Sequence, residues 1–244
     1  MLAEKLSRVR QTVAEALARR TTAKVTGDQV EIIAVTKNHP AAIIPEIEAL
    51  GIRHIGENRV QEAGAKQQLL GHRGCWHLIG HLQSNKAKQA VELFDLIESA
   101  DSLKILRALD KEARKAGKIQ DVLLQLNIAG ETQKSGFSEE EYRAVLPELP
   151  GFEGLRVRGI MVIAPHTEDR DLIRSVFRQG YECFVSLREN LDGVDILSMG
   201  MSGDYDLAVE EGANHIRVGS ALFGPRDYSV SWREQLEAEV EKEI

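Results

Sequence analysis

The chain has 244 residues, of which 43% are hydrophobic, and its formal net charge is −7 at pH 7. The acidic balance argues against general nucleic-acid binding, which needs a basic surface. No stretch reaches the roughly 20 apolar residues of a membrane span, and the first residues lack the apolar core of a signal peptide. We therefore expect a cytoplasmic protein that binds neither nucleic acid nor membranes.

The first predicted element is a helix, because apolar residues recur at steps of four and three from Leu2 to Leu17. Its apolar stripe is explained equally well by packing within the chain and by association with another chain. After residue 21, segments typical of strands and of helices alternate. The eight predicted strands are 31–37, 53–57, 75–81, 94–99, 121–128, 157–163, 195–199 and 215–219. The helices predicted between them are 42–49, 58–70, 84–91, 102–116, 138–147, 169–189 and 204–211.

Regular alternation of this kind predicts a parallel sheet, and eight units predict a closed (β/α)8 TIM-type barrel. We expect a single domain over residues 1–244, with an extra helix at the N-terminus and another in the acidic C-terminal stretch 234–243. Ser138 with Glu141 forms a capping box, and Gly117 stands where a helix ends. The first strand is not followed by a Gly-x-Gly-x-x-Gly turn, which argues against a dinucleotide fold.

Lys37 closes the first predicted strand, where a barrel carries its active groups. A lysine at a strand end usually keeps its ammonium in water. The functional alternative is an amine partly desolvated in the barrel mouth, where a lowered pKa favours attack on a carbonyl. Such a lysine can hold an aldehyde as a Schiff base.

Two segments rich in serine and glycine follow the last two predicted strands and contain Ser202, Gly219 and Ser220. Loops in these positions form the usual phosphate site of such barrels, and glycine lets the backbone approach the ligand closely. The alternative is ordinary turn chemistry, and Ser202 is also placed to cap the helix predicted near residue 204. An amine and a phosphate site together suggest a phosphorylated aldehyde cofactor.

Arg217 lies within the last predicted strand and needs a partner, since its charge cannot be shed. A carboxylate such as Glu57 or Asp204 is one candidate. Contact with the ring nitrogen of a pyridine cofactor is the other. Because arginine has only donors, it would keep that nitrogen unprotonated, which makes the ring a weaker electron sink.

Three further residues are assigned to the same rim. Asn58 follows the second strand and either caps the next helix or reaches the phenolic oxygen of a bound ring. His81 ends the third strand, and Met161 is expected to line the mouth by packing.

No metal site is predicted. His72, His77 and His81 lack convincing carboxylate or cysteine companions in the sequence. Cys75 and Cys183 lie far apart without metal-type spacing, so we interpret them as reduced structural thiols.

The ordered motifs resemble the pyridoxal phosphate homeostasis protein family, also called the proline synthase co-transcribed protein family. The similarity extends from the first helix to Gly224. Its motifs are Ala34-Val35-Thr36-Lys37, Gly56-Glu57-Asn58, Trp76 to Lys86, Ser198-Met199-Gly200-Met201-Ser202-Gly203-Asp204 and Ile216 to Gly224.

This resemblance implies a barrel similar to the N-terminal domain of alanine racemase, with pyridoxal 5′-phosphate bound as an imine to Lys37. It also implies phosphate binding by Ser202, Gly219 and Ser220, with Arg217 facing the pyridine nitrogen. Family members are regarded as regulators of vitamin B6 and amino-acid balance without an established catalytic activity.

The leading hypothesis is therefore a non-catalytic carrier, a monomer, with apo-enzymes as recipients of the cofactor. The second domain of the racemase is missing, and we find no partner base for Lys37, which two-base racemisation requires. The alternatives are a small pyridoxal phosphate enzyme, such as a racemase or decarboxylase of amino acids, and a cofactor-free barrel that binds another phosphorylated metabolite.

Overall fold

The computed structural model describes residues 1–21, 23–131, 133–225 and 231–236. Within these residues, eight parallel strands close into a barrel in chain order, and β8 pairs with β1. The predicted fold class and all eight predicted strands are confirmed, with shifts of a few residues at the ends. The strands are β1 Glu31–Val35, β2 His54–Glu57, β3 Cys75–Leu78, β4 Leu96–Ala100, β5 Gln120–Leu126, β6 Leu155–Val162, β7 Ile196–Met199 and β8 His215–Val218.

Helices connect the strands around the outside of the barrel, and the predicted helices are confirmed. They are α1 Leu2–Ala18, α2 Ile43–Ala49, α3 Val60–Leu70, α4 Ala87–Leu93, α5 Leu103–Lys115, α6 Glu139–Val145, α7 Arg170–Asn190, α8 Tyr205–Glu210 and α9 Ser220–Phe223. Two 3-10 turns, Ser84–Lys86 and Leu146–Gly151, precede α4 and follow α6. The second turn and α9 were not predicted. No described helix is long and apolar enough to cross a membrane.

Local capping explains where several helices begin and end. Ser138 and Glu141 form the predicted capping box, with the Ser138 hydroxyl accepting from the Glu141 amide at 3.2 Å. Gly117, with φ of 65°, follows the end of α5 in a conformation that glycine adopts without a steric penalty. Part of the predicted C-terminal helix is seen, since residues 232–236 are helical, and residues 237–244 lie outside the described residues.

Side chains alternate between the barrel interior and the layer beneath the helices, as the strand period requires. Ile33 and Val35 point inward, where both would contact a Cβ added to Gly56 on the neighbouring strand. Ala34, between them, belongs to the outer core shared with the helices. The interior is apolar in part, through a separate cluster of Leu96, Leu123, Met161 and Ile196.

The apolar stripe of α1 is covered by the barrel. Leu6, Val9 and Val13 are buried, and α1 packs against α8 and α9. Arg19 at the end of α1 also bonds Glu210 on α8 at 2.6 Å. Of the two explanations left open by the sequence, packing within the chain therefore accounts for the stripe.

Candidate functional site

Lys37 lies at the carboxyl-terminal rim of the barrel. β1 ends at Val35, so Lys37 stands in the turn that follows and not in the strand itself, where the sequence pattern had placed it. The residue is half-buried. Its turn is irregular, because the next residue, Asn38, has φ of 56°, in the left-handed region. An amine on this turn is placed at the rim where barrels carry their reactive groups.

The backbone on both sides of Lys37 is held by a buried network. Lys66 on α3 donates from Nζ to the carbonyl oxygen of Thr36 at 2.8 Å. On the other side, the amide of Asn38 donates to Oε1 of Glu62 at 2.6 Å. The turn that carries Lys37 is thus clamped at the residue before it and the residue after it.

The same network sets one ammonium against two carboxyl groups. The Lys66 ammonium bonds Glu57 at 2.7 Å and Glu62 at 3.0 Å, and all three side chains are almost fully buried. Burial raises the pKa of Glu57, while the Lys66 charge opposes that rise. This cluster was not predicted from the sequence, although a lysine and a glutamate four residues apart on a predicted helix are a recognisable signal.

The loops after β7 and β8 meet at one hydroxyl. Ser202 Oγ accepts hydrogen bonds from the amides of Gly219 and Ala221, each at 3.2 Å. Ser202 is therefore not the cap of α8. That position is taken by Asp204, whose carboxylate accepts from the Met201 amide at 2.6 Å.

These amides stand at the rim next to the strand that leads to Lys37. β8 pairs with β1, with Ala34 opposite Val218, so both chains leave the sheet at the same edge. Gly219 is buried and Ser220, the first residue of α9, is exposed. The structure thus brings the predicted phosphate segments together at one edge of the barrel, beside the strand of the predicted amine.

Arg217 is buried in the barrel interior. Its guanidinium donates to the Ser198 hydroxyl at 2.6 Å and to the Val162 carbonyl at 2.9 Å. The nearest paired carboxylate is Glu98 on β4, at 3.8 Å. The prediction that Glu57 pairs with Arg217 is wrong, because Glu57 pairs with Lys66 instead. Burial lowers the pKa of Arg217, and Glu98 and Asp204 oppose that shift.

Asn58 does not cap α3, whose N-cap is Arg59. Its Oδ1 is buried and has no hydrogen-bond partner among the described residues. An unpaired buried acceptor of this kind costs free energy unless a ligand or water satisfies it. Asn58 and His81 also line a common cavity of about 590 Å³ beside the rim.

His81 is oriented by a carboxylate. Its Nδ1 lies 2.7 Å from Oδ2 of Asp101 and 3.1 Å from the Ser135 hydroxyl. The side chain remains 59% exposed. Asp101 had no signal in the sequence, because it reaches His81 only after β3 and β4 pair.

Met161 is fully buried in the interior cluster with Leu96 and Leu123. It therefore supports the barrel from within, and its contact with a ligand stays a prediction.

The rim residues fit a phosphorylated pyridine aldehyde. They offer an amine on a fixed turn, backbone amides gathered around one oxygen, and the unsatisfied acceptor of Asn58. An amine is the group that binds an aldehyde, backbone amides suit a phosphate, and a buried acceptor suits a polar ring substituent.

Comparison with known proteins agrees with this class of site. Residues 14–227 match the family model described as alanine racemase, N-terminal domain. The chain is 39% identical over 228 residues to the pyridoxal phosphate homeostasis protein of Pseudomonas aeruginosa, covering 91% of this chain and 98% of that one. The Escherichia coli protein of the same name is 37% identical over 238 residues, covering 93% and 98%.

A solved structure shows the same architecture. PipY of Synechococcus elongatus, a COG0325 family member determined with pyridoxal phosphate bound, is 41% identical, with a TM-score of 0.78 over 92% of this chain and 100% of that one. The chain belongs to the family of barrels with the alanine racemase N-terminal fold. Within that family, its full-length relatives are pyridoxal phosphate homeostasis proteins.

Proposed function

We propose that this protein binds pyridoxal 5′-phosphate and takes part in vitamin B6 and amino-acid homeostasis. The Lys37 amine binds the aldehyde covalently. Ser202, Gly219 and Ser220 hold the phosphate. Arg217 donates a hydrogen bond to the ring nitrogen. Asn58 and His81 flank the ring, and Met161 packs beneath it.

One observation carries the proposal: Ser202 Oγ gathers the amides of Gly219 and Ala221 at the rim where Lys37 stands. A phosphate oxygen would accept from the same donors more strongly, because it is ionised. The clamp on Thr36 and Asn38 supports the other end of the ligand, since it orders the turn before any ligand arrives. The homologous PipY was solved with this cofactor.

We further propose that the chain acts as a cytoplasmic, monomeric, single-domain carrier that delivers the cofactor to apo-enzymes without catalysing a reaction. The names of the relatives support a homeostatic role. A carrier needs a covalent but reversible hold on a reactive aldehyde, which an amine supplies.

The direct test is borohydride reduction of the cofactor-loaded protein, followed by peptide mass spectrometry. We expect a reduced pyridoxyl group on Lys37, together with a visible absorption band that Lys37→Ala abolishes. Lys86→Ala is the matched control, because Lys86 lines the same cavity as Asn58 and His81 and is therefore a second amine near the proposed ring. The assignment fails if Lys37→Ala retains the band and the adduct, and cofactor binding itself is refuted if the wild type acquires neither.

One observation favours an enzyme as a second candidate. Asp101 holds His81 Nδ1, so the other ring nitrogen of an exposed imidazole is available as an acid or base at the rim. A screen of amino-acid racemisation and decarboxylation distinguishes the candidates. Turnover lost in both Lys37→Ala and His81→Gln would support the enzyme, and its absence across the screen would support the carrier.

A further inference from the structure

The opposite end of the barrel carries a second cluster of reactive side chains. His54, Cys75 and His215 are the first residues of β2, β3 and β8, and His77 follows two positions after Cys75. The ligating atoms of His54, Cys75 and His77 all lie within 4.8 Å of one another. No companions for His77 were evident from the sequence, because strand pairing, not spacing along the chain, brings them together.

His77 is held in the orientation that a metal ligand needs. Its Nδ1 donates to Oε1 of the fully buried Glu98 at 2.6 Å. Its Nε2 points the other way and lies 2.9 Å from Nδ1 of His54. Metal-bound histidines commonly donate their second ring nitrogen to a carboxylate, which fixes the ring and raises its basicity.

Cys75 supplies the sulfur of this group. It begins β3 opposite His54, the first residue of β2, and its side chain is half-buried. Cysteine sulfur and histidine nitrogen are the ligands that Zn²⁺ prefers in proteins. Cys183 lies on α7, outside this group.

His215 supplies an independent sign of a missing partner. Its side chain is buried, and its Nδ1 has no hydrogen-bond partner among the described residues. Its ring centre lies 5.8 Å from that of His54 and 6.0 Å from that of His77. A cavity of about 250 Å³ lined by all four residues gives a route from solvent.

We propose that His54, Cys75 and His77 bind a zinc ion at the amino-terminal end of the barrel, with His215 or water as the fourth ligand. Two imidazoles and a thiolate are a donor set that suits Zn²⁺. The ion replaces the protons shared among these groups, which pass to solvent. Glu98 serves as the partner of His77 rather than as a ligand, because Ser198 bonds it at 2.6 Å and Arg217 lies 3.8 Å away.

The site ties β2 to β3 and stands away from the rim. Since the amino-terminal face of such barrels serves stability, the expected effect of zinc is on unfolding and not on cofactor binding. The inference therefore stands or falls separately from the proposed function.

The test uses the full-length chain freed of metal by a chelator and titrated with Co²⁺. We expect about one ion per chain, the visible bands of a tetrahedral site and a near-ultraviolet thiolate-to-cobalt band. Zn²⁺ should displace Co²⁺ and raise the melting temperature. Cys75→Ser should remove the thiolate band, and His54→Ala should weaken binding at least tenfold.

Two matched variants serve as controls. Cys183→Ser and His72→Ala change the same residue types outside the cluster, so both should bind as the wild type does. Metal should also protect Cys75 from alkylation and leave Cys183 unprotected. The proposal is overturned if the wild type shows no thiolate band, or if that band survives Cys75→Ser. Equal weakening by His72→Ala would mean adventitious binding only, which would overturn it as well.

Discussion

Lys66 Nζ donates a 2.8 Å hydrogen bond to the carbonyl oxygen of Thr36, the residue directly before Lys37. A fully buried ammonium on α3 is thereby joined to the backbone of the turn that carries the proposed cofactor amine. The bond connects the stability of the barrel with the order of its rim. Buried ionic networks are weak sources of net stability, but removing one member leaves an uncompensated charge.

We expect Lys66→Met to lower the free energy of unfolding by about 3–5 kcal/mol, because Glu57 and Glu62 would remain buried without their cation. It should also reduce covalent cofactor loading. Urea denaturation and absorbance after borohydride reduction measure the two effects. Lys88→Met is the control, since Lys88 is exposed and its change should stay within about 0.5 kcal/mol. Equal stability of the two variants would contradict the role of the network.

Ser202→Ala should weaken binding of pyridoxal 5′-phosphate by roughly 10–100-fold, the range expected for loss of a hydrogen bond to a charged group. The hydroxyl also positions the amides of Gly219 and Ala221. Pyridoxal, which lacks the phosphate, should bind the variant and the wild type alike. Absorbance titration with both ligands checks this, with Ser7→Ala on the exposed face of α1 as control. Equal losses for both ligands would remove the phosphate assignment.

Gly80→Ala should destabilise the rim. A Cβ at this position would lie 2.3 Å from the carbonyl oxygen and 2.8 Å from the Cα of Asn58, so backbone would have to move. We expect a loss of about 1–3 kcal/mol in thermal unfolding. Gly151→Ala meets nothing within 4 Å and should be near neutral. If the two variants melt alike, the close approach of Asn58 and Gly80 is not as described.

Glu210→Gln should lower the free energy of unfolding at neutral pH. The variant should also lose less of that free energy than the wild type when the pH falls. Burial raises the pKa of Glu210, but hydrogen bonds from Arg174 and Arg19, both 2.6 Å, outweigh it and lower the pKa. The carboxylate therefore contributes stability above its unfolded pKa of about 4.3, which is lost as pH falls through the folded value.

Denaturation of wild type and variant from about pH 3 to about pH 7, a range that includes the unfolded pKa, measures this effect. The difference in free energy of unfolding between the two proteins should become smaller as the pH falls. Glu189→Gln is the control, because Glu189 is exposed near the end of α7. It should change neither the stability at neutral pH nor the loss of stability in acid. A constant difference at all pH values would exclude ionisation of Glu210 as the cause.

Local chemistry made much of the fold predictable. The spacing of apolar residues identified the strands and helices, and Ser138, Glu141 and Gly117 marked helix ends, since these signals act over a few residues. The motifs around Lys37 and Ser202 located the candidate rim groups. The sequence alone therefore determined the barrel and its family, and it predicted the segments that face a ligand.

Only the tertiary structure decided which of these residues touch. Ser202 meets Gly219 instead of capping α8, Arg217 lies beside Glu98 instead of Glu57, and Cys75 joins His54 and His77. Each pair depends on strand pairing or on loops that meet when the sheet closes. Burial then sets the partner, because a polar group taken out of water must bond whatever the closed barrel places beside it.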